Sequence, residues 1–561
     1  MSSQDIETVS GGQEVPFLGE DQCNKSFCQS YCEIKGLTVS LLAAYTIAFS
    51  AIASTIFVAK MPTNNATDQL FRLDSVADIP AYFNTVLFIM LSPLIGVVAV
   101  SSNKQGAYKK AISEHKPEED LIRLRNEISF VNKVGCIMAG ILSIPAIAAY
   151  ASSGQFFIAI GRNPVTARYS SDFLFPWSFA AFPVLLRIAL EQSIFPAIDP
   201  RDVVIADCVF FAVATALAYI FSFGAVGIEP MGAQSIAWCY AVESWITLIF
   251  NVVYMNLHKE LRVFEFIKFY GRKVGNARGV VKSILAQSIP AFINMSAEFS
   301  VSFVVVLMVG MISEVSQASL SYAMQLFNIL LLLSTASGVA GSLKVGVSVG
   351  EGKIAEAKQF IFVSVISGLI FTGVPSVLVL AWPRGIIDIF SKLSVDVNST
   401  EVLSANASNS TYIASTIEAE NNIYARIMAF IVIFETLRYG LAALGKILGT
   451  PYAVSVLSCV SILSGLGLGA VLGFCTNLGA TGVLLGWLVG ILVADGFLIP
   501  HTMFLAKKEQ LEKTSDRLKA PWCSDVKDMV NRCSFLKRSR TKSQSHNKST
   551  TEAAQINLTE I

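Results

Sequence analysis

Five carboxylates, Glu298, Glu435, Glu243, Asp207 and Asp495, each fall inside a long apolar run of the chain. A charge in the hydrocarbon interior costs about 2.5–3.5 kcal/mol on insertion scales, so each acid needs a cavity, a cationic partner or a proton. Glu298 lies near the middle of its run, with no Lys or Arg within two helical turns along its own segment. That leaves a proton or a bound cation to neutralise it, and the chemistry on offer is reversible ion loading. A permanently protonated Glu bonded to a neighbouring helix is the structural alternative. Glu435 sits at comparable depth, but Arg438 three residues on shares its helix face. The two form either a fixed ion pair or a switch in which an arriving ion competes with the guanidinium.

Weaker candidates surround these two. Glu243 has Trp238, Tyr240 and Trp245 nearby, as a cavity residue would; Asp207 is near the end of its run, and Asp495 can bond to helix backbone. Ser54, Asn294 and Gln287 can hold a solute or serve as glue between helices. Arg187 and Arg438 are expected to snorkel toward one membrane face or to staple helices together. The 37 Phe and 15 Tyr would suit an apolar cavity that accepts flat cations on ring faces, although most must face lipid or core. The four His are scattered, with His115, His258 and His546 in connections or tail and His501 near a membrane face. No acid-base or metal cluster follows, and no phosphate-binding loop is visible, so neither an enzyme nor a cofactor is expected.

The elements that position these groups follow from composition. Hydrophobic residues make up 53% of the chain and charged residues 15%, with a mean hydropathy of +0.57, against about 25% charged in soluble domains. Apolar windows long enough to cross a bilayer lie near 37–59, 79–101, 133–152, 172–195, 203–223, 232–256, 283–309, 317–342, 359–381, 423–447, 452–475 and 480–504. They must be helices, because hydrocarbon offers the backbone no partners. The expectation is an all-α polytopic membrane protein of about twelve spans. Nucleic-acid binding has no support.

Most of the 42 Lys and Arg fall on one side of this arrangement, densest in 104–133 and 259–282. The positive-inside rule then puts both termini in the cytoplasm. No secretory signal is expected from the polar, mostly acidic start. Asn65, Asn398, Asn406 and Asn409 begin Asn-x-Ser/Thr triplets in connections assigned outside, of which 388–421 is a long Asn- and Ser-rich loop. Cys23, Cys28 and Cys32 crowd before the first span, either as lipid attachment points or as plain thiols. The basic tail around Lys537, Arg538, Arg540 and Lys542 reads as a solvated segment reinforcing orientation, or as a binder of anionic lipid.

The chain also repeats itself. Leu186-Arg187 followed by Asp199-Pro200 recurs as Leu437-Arg438 followed by Thr450-Pro451, and Gly232-Ala233 as Gly479-Ala480. Six spans per copy give two six-helix bundles related by a pseudo-twofold axis along the membrane normal, with a cleft between them. Rocking one bundle against the other would expose a midplane site to alternate sides. The expected units are a tail 1–35, an N-lobe 36–257, a linker 258–282, a C-lobe 283–506 and a tail 507–561.

Ser288-Ile289-Pro290 through Glu298, then Ser316-Gln317-Ala318, then Gly346 to Lys353 with Ala355 and Ala357-Lys358, resemble the seventh and eighth spans of the multidrug and toxic compound extrusion (MATE) family. Phe157 to Tyr169, with Gly161, Asn163-Pro164 and Ala167, resembles its third-to-fourth connection, and Tyr424 to Pro451 its tenth span. The resemblance runs from about 36 to 506. It implies a proton- or sodium-coupled antiporter for organic, often cationic solutes, monomeric among membrane lipid, with Glu298 and Glu435 as ion-coupling residues. One departure stands out: Ser54-Thr55-Ile56 occupies the place where many members have Asp-Thr-Ile/Met, so the acid linked to proton coupling in that lobe is missing. A flippase for a lipid-linked sugar and a non-transporting receptor or scaffold share the architecture.

Overall fold

The computed structural model describes residues 27–44, 66–198, 201–224, 229–262, 277–385, 407–448 and 450–507, with positions 227, 264 and 274. In the first half the helices are α1 (Phe27–Ala44), α2 (Ala66–Leu91), α3 (Ile95–Ser113), α4 (Glu118–Ala151), α5 (Ser153–Ala159), α6 (Pro164–Ile194), α7 (Arg201–Phe223), α8 (Ala233–Leu257) and α9 (Lys259–Arg262). In the second half they are α10 (Ala277–Ile312), α11 (Glu314–Glu351), α12 (Ile354–Ala381), α13 (Ala407–Ile447), α14 (Pro451–Phe474) and α15 (Gly479–Leu505). Eleven segments among the described residues are long and apolar enough to cross a membrane. Each covers one of the expected windows from 79–101 onward. The window 37–59 begins within α1 and continues outside the described residues, as do Ser54, Cys23, Asn65, Asn398 and Asn406.

The expected 388–421 loop is shorter than its composition implied, since α13 is already helical from Ala407. Its Asn and Ser are poor helix formers, but a helix that is long and apolar further on can carry them as a first few turns.

Local sequence sets the helix ends. Gly161, at φ +87°, takes the left-handed turn after α5. Asn163 then caps α6 by accepting a hydrogen bond from Val165 N, with Pro164 as its first residue. Ser313 caps α11 by accepting from Ser316 N, and Gly352, left-handed at φ +80°, closes that helix. Pro80, Pro145, Pro183, Pro290, Pro375 and Pro500 lie within spans, where neighbouring helices can absorb the lost backbone bond. Large apolar side chains such as Ile137, Ile141, Ile144 and Val460 are exposed along helix faces, as a lipid-facing surface requires.

The two halves meet directly, and the expected open cleft is closed in this structure. At the end bearing Gly352, a Cβ on Gly106 of α3 would strike Val347 O of α11, one on Gly346 would strike Ser102 Oγ, and one on Gly350 would strike Asn103 O. Only glycine lets these backbones approach so closely. Midway, the rings of Phe88 and Phe299 stack at 4.4 Å, and Thr85 Oγ1 donates to Phe299 O at 3.2 Å. At the opposite end Arg162 bridges the halves, donating to Asp78 Oδ1 at 2.8 Å and Gln317 Oε1 at 3.2 Å.

Candidate functional site

Glu298 was expected to lack a cationic partner, and the structure corrects this. No Lys or Arg lies within two turns of it on its own helix, but Arg438 of α13 reaches across until Nη2 stands 2.6 Å from Glu298 Oε2. The sequence shows only neighbours along one helix; α10 and α13 both pack against α14 and α15, and the long Arg438 side chain reaches in from α13. The contact is one of charge, since neither Glu298 oxygen meets a donor in hydrogen-bonding alignment among the described residues. Arg438 Nε and Nη2 donate to Glu435 Oε2 and Oε1 at 2.9 and 2.5 Å, and Nη1 donates to Ser458 Oγ at 2.9 Å. Glu435 thus holds the paired geometry, while Glu298 leans on the same nitrogen without a bond in line.

All three groups are buried, with side-chain exposures of 0% for Arg438, 7% for Glu298 and 2% for Glu435. Two carboxylates share one guanidinium, and with Asp495 and the buried Lys446 three acids face two cations, so one negative charge is left over. The Arg438 guanidinium also lies 5.0 Å from the ring centre of Tyr439, whose hydroxyl donates to Met295 Sδ at 3.6 Å. Asp495 on α15 is buried close enough to feel Arg438 and Glu435, and no donor reaches either of its oxygens among the described residues. Asn294, one turn before Glu298, is buried with Oδ1 lacking a donor there. Gln287 is half-buried further along α10.

Asp207 and Glu243 are not near this cluster. They belong to a second one in the first half, centred on Arg187. Arg187 Nε donates to Glu191 Oε1 at 2.6 Å and Nη2 to Asp207 Oδ2 at 2.9 Å, while Nη1 stands 3.8 Å from Glu243 Oε1. Asn251 Nδ2 donates to Glu191 Oε1 at 2.9 Å and Thr247 Oγ1 to Glu243 Oε1 at 3.0 Å. Neither arginine snorkels: both are buried, and both staple helices within one half. Asp207, though near a helix end, is fully buried. Glu191, Asn251, Thr247 and Ser458 were not singled out from sequence; Glu191 had a readable signal, four residues after Arg187 on the same face. Asp78, at the bridge between halves, had none.

The first half also contains a narrow apolar cavity lined by Phe83, Leu87, Tyr150, Trp177, Val184 and Leu185. Phe83 and Trp177 rings lie 4.6 Å apart, and Trp177 Nε1 has no acceptor among the described residues. No group of three or more His, Cys, Asp or Glu among those residues is arranged to hold a metal ion.

Comparison with known proteins places this arrangement. The MatE family model matches residues 290–474, which include Glu298, Glu435 and Arg438. A probable multidrug resistance protein NorM of Agrobacterium fabrum (strain C58) is 24% identical over 373 residues, covering 65% of this chain and 74% of the relative. The multidrug resistance protein NorM of Burkholderia vietnamiensis is 21% identical over 316 residues, 56% of this chain and 65% of its own, so the chain spans just under two thirds of that relative. Among solved structures, the eukaryotic MATE transporter AtDTX14 superimposes with a TM-score of 0.68 at 16% identity, over 88% of this chain and 99% of that one. An outward-facing multidrug resistance MATE family transporter of the MOP superfamily gives 0.64 at 13% identity, over 86% and 97%. At such identities the structures establish the shared fold, twelve helices in two lobes. By the matched segment, the relatives and the common architecture, the chain is similar to transporters of the MATE family and shares their fold.

Proposed function

We propose that the chain is a cation-coupled antiporter, driven by H+ or Na+, that exports organic, cationic or amphipathic solutes by alternating access. The observation that carries this reading is the sharing of Arg438 Nη2 between Glu435 Oε1 at 2.5 Å and Glu298 Oε2 at 2.6 Å. The leftover charge is neutralised by an ion that binds and leaves, and Glu298, without an aligned donor, is the acid it reaches. A proton fits better than sodium, because a metal ion at Glu298 would have to coexist with a guanidinium in contact. Loading the ion loosens Glu298 from Arg438 and favours one arrangement of the lobes, so differential affinity drives the cycle. Glu435 holds Arg438 in place. Asn294 and Asp495, beside the site, are the groups we assign to the solute, with Gln287 further along α10.

The relatives are multidrug resistance proteins by name, which supports export of small organic molecules. In this reading the lobes are 36–257 and 283–506, joined by 258–282, with both termini cytoplasmic, and one copy suffices. The flippase alternative needs free basic groups for a pyrophosphate; Arg187 and Arg438, buried in the two halves, are already engaged by carboxylates, and the buried Lys446 lies beside Glu298. The test is uptake of a fluorescent organic cation into proteoliposomes under imposed pH or sodium gradients. Gradient-driven uptake that Glu298→Gln abolishes supports the reading, and absence of uptake under either gradient contradicts it. A receptor or scaffold predicts no uptake and indifference to Glu298→Gln.

A further inference from the structure

Arg187 and its three acids make their contacts within the first half, apart from Glu298. We propose that this cluster is a second proton-binding site, in which Glu243 carries one proton inside the N-terminal half.

Charge is the first argument. Arg187, Glu191, Asp207 and Glu243 have side-chain exposures of 2%, 4%, 0% and 5%, so three carboxylates confront one guanidinium away from water, an excess of two negative charges that one proton halves. Uncompensated charge at such depth is far costlier than neutralising the group.

Unpartnered acceptors give the second. Asn251 is fully buried and aimed at the cluster through Nδ2, yet no donor reaches its Oδ1 among the described residues. The same holds for Asp207 Oδ1. A carboxyl O–H is the donor such acceptors lack. Because the acids do not converge as metal ligands, the species that fits is a proton rather than a metal cation.

Contacts choose the carrier. Glu191 receives both Arg187 Nε and Asn251 Nδ2, and Asp207 receives Arg187 Nη2 at 2.9 Å. Glu243 has the longest approach to the guanidinium, 3.8 Å, and beyond that leans on the hydroxyls of Thr247 and the neighbouring Ser244. The groups facing it are Arg187 and Glu191 from α6, Asp207 from α7, and Tyr240 and Thr247 on its own helix; Lys259, Glu260 and Arg262 of α9 are exposed beyond the end of α8.

Infrared difference spectroscopy of the full-length protein in lipid, with pH jumps in H2O and D2O, reads the proton itself. The expected result is a protonated-carboxyl band that shifts on deuteration, is lost in Glu243→Gln and persists in Glu298→Gln. Thr247→Ala, which keeps the acid and removes its hydroxyl neighbour, should move the band in frequency, and this covers the case in which Glu243→Gln does not fold. Spectra in which wild type, Glu243→Gln and Thr247→Ala coincide overturn the proposal. Because the readout needs no transport, its failure is distinguishable from failure of the antiporter reading, which Glu298→Gln uptake tests.

Discussion

Arg187 and Arg438 stand 251 positions apart in the chain, and each crosses to the helix that follows through the residue 20 further on. Arg187 reaches Asp207 at 2.9 Å and Arg438 reaches Ser458 at 2.9 Å. The internal repeat is therefore a repeat of contacts as well as of letters: one guanidinium per half ties two consecutive spans together. What each half adds differs. The N-terminal half surrounds its arginine with Glu191, Asp207 and Glu243, and the C-terminal half with Glu435 and Glu298.

Removing the C-terminal guanidinium leaves two buried acids facing each other. Breaking a buried pair by deleting one partner costs about 3–5 kcal/mol, so Arg438→Met should lower the thermal unfolding temperature of the purified protein strongly. Ser458→Ala, which deprives a charged donor of one acceptor, should cost about 1–3 kcal/mol. Adding Glu435→Gln to Arg438→Met should recover part of the loss, and a double mutant no more stable than the single one would contradict the shared-charge picture.

At the end bearing Gly352, the close approach of α3 and α11 depends on Gly106, Gly346 and Gly350. Gly350→Leu forces overlap with Asn103 backbone, an overpacking cost of about 1–3 kcal/mol that converts to roughly 5–150-fold in the balance between closed and open arrangements. An Asn103→Cys reporter should then react faster with a membrane-impermeant maleimide. Unchanged reactivity would mean that this seam does not hold the halves together.

At the opposite end Arg162→Ala removes the contacts to Asp78 and Gln317. Charged hydrogen bonds contribute about 1.5–3 kcal/mol each, so the halves should separate there. Spin labels at Val165 and Met311, exposed positions on either half at that end, should report a population at longer distance than in the unsubstituted bridge. An identical distance distribution would count against a latch.

The spans from 79–101 onward were legible in the sequence because hydrocarbon leaves a backbone no choice but helix, and a continuous apolar run shows where. The turn at Gly161-Arg162-Asn163-Pro164 was legible for a local reason, since left-handed glycine, Asn cap and first-position Pro are written in adjacent letters. The pair Glu435–Arg438 was visible because three residues make less than one turn. The contact of Glu298 with Arg438 was hidden, as was the membership of Asp207 and Glu243 in one cluster. Both depend on which helix lies beside which, and spans so uniformly apolar carry little periodic signal to say. Asp78 escaped notice because it sits at the edge of an apolar run, where an acid looks ordinary until Arg162 folds over it.

The central claim is that an arriving ion competes with Arg438 for Glu298. The most direct measurement is proton exchange with weakly buffered solution when an organic cation binds to purified protein in detergent. Wild type should release protons on binding, and Glu298→Gln should bind the cation without that release. Equal release from both proteins, or binding by wild type with no protons exchanged, would contradict the account.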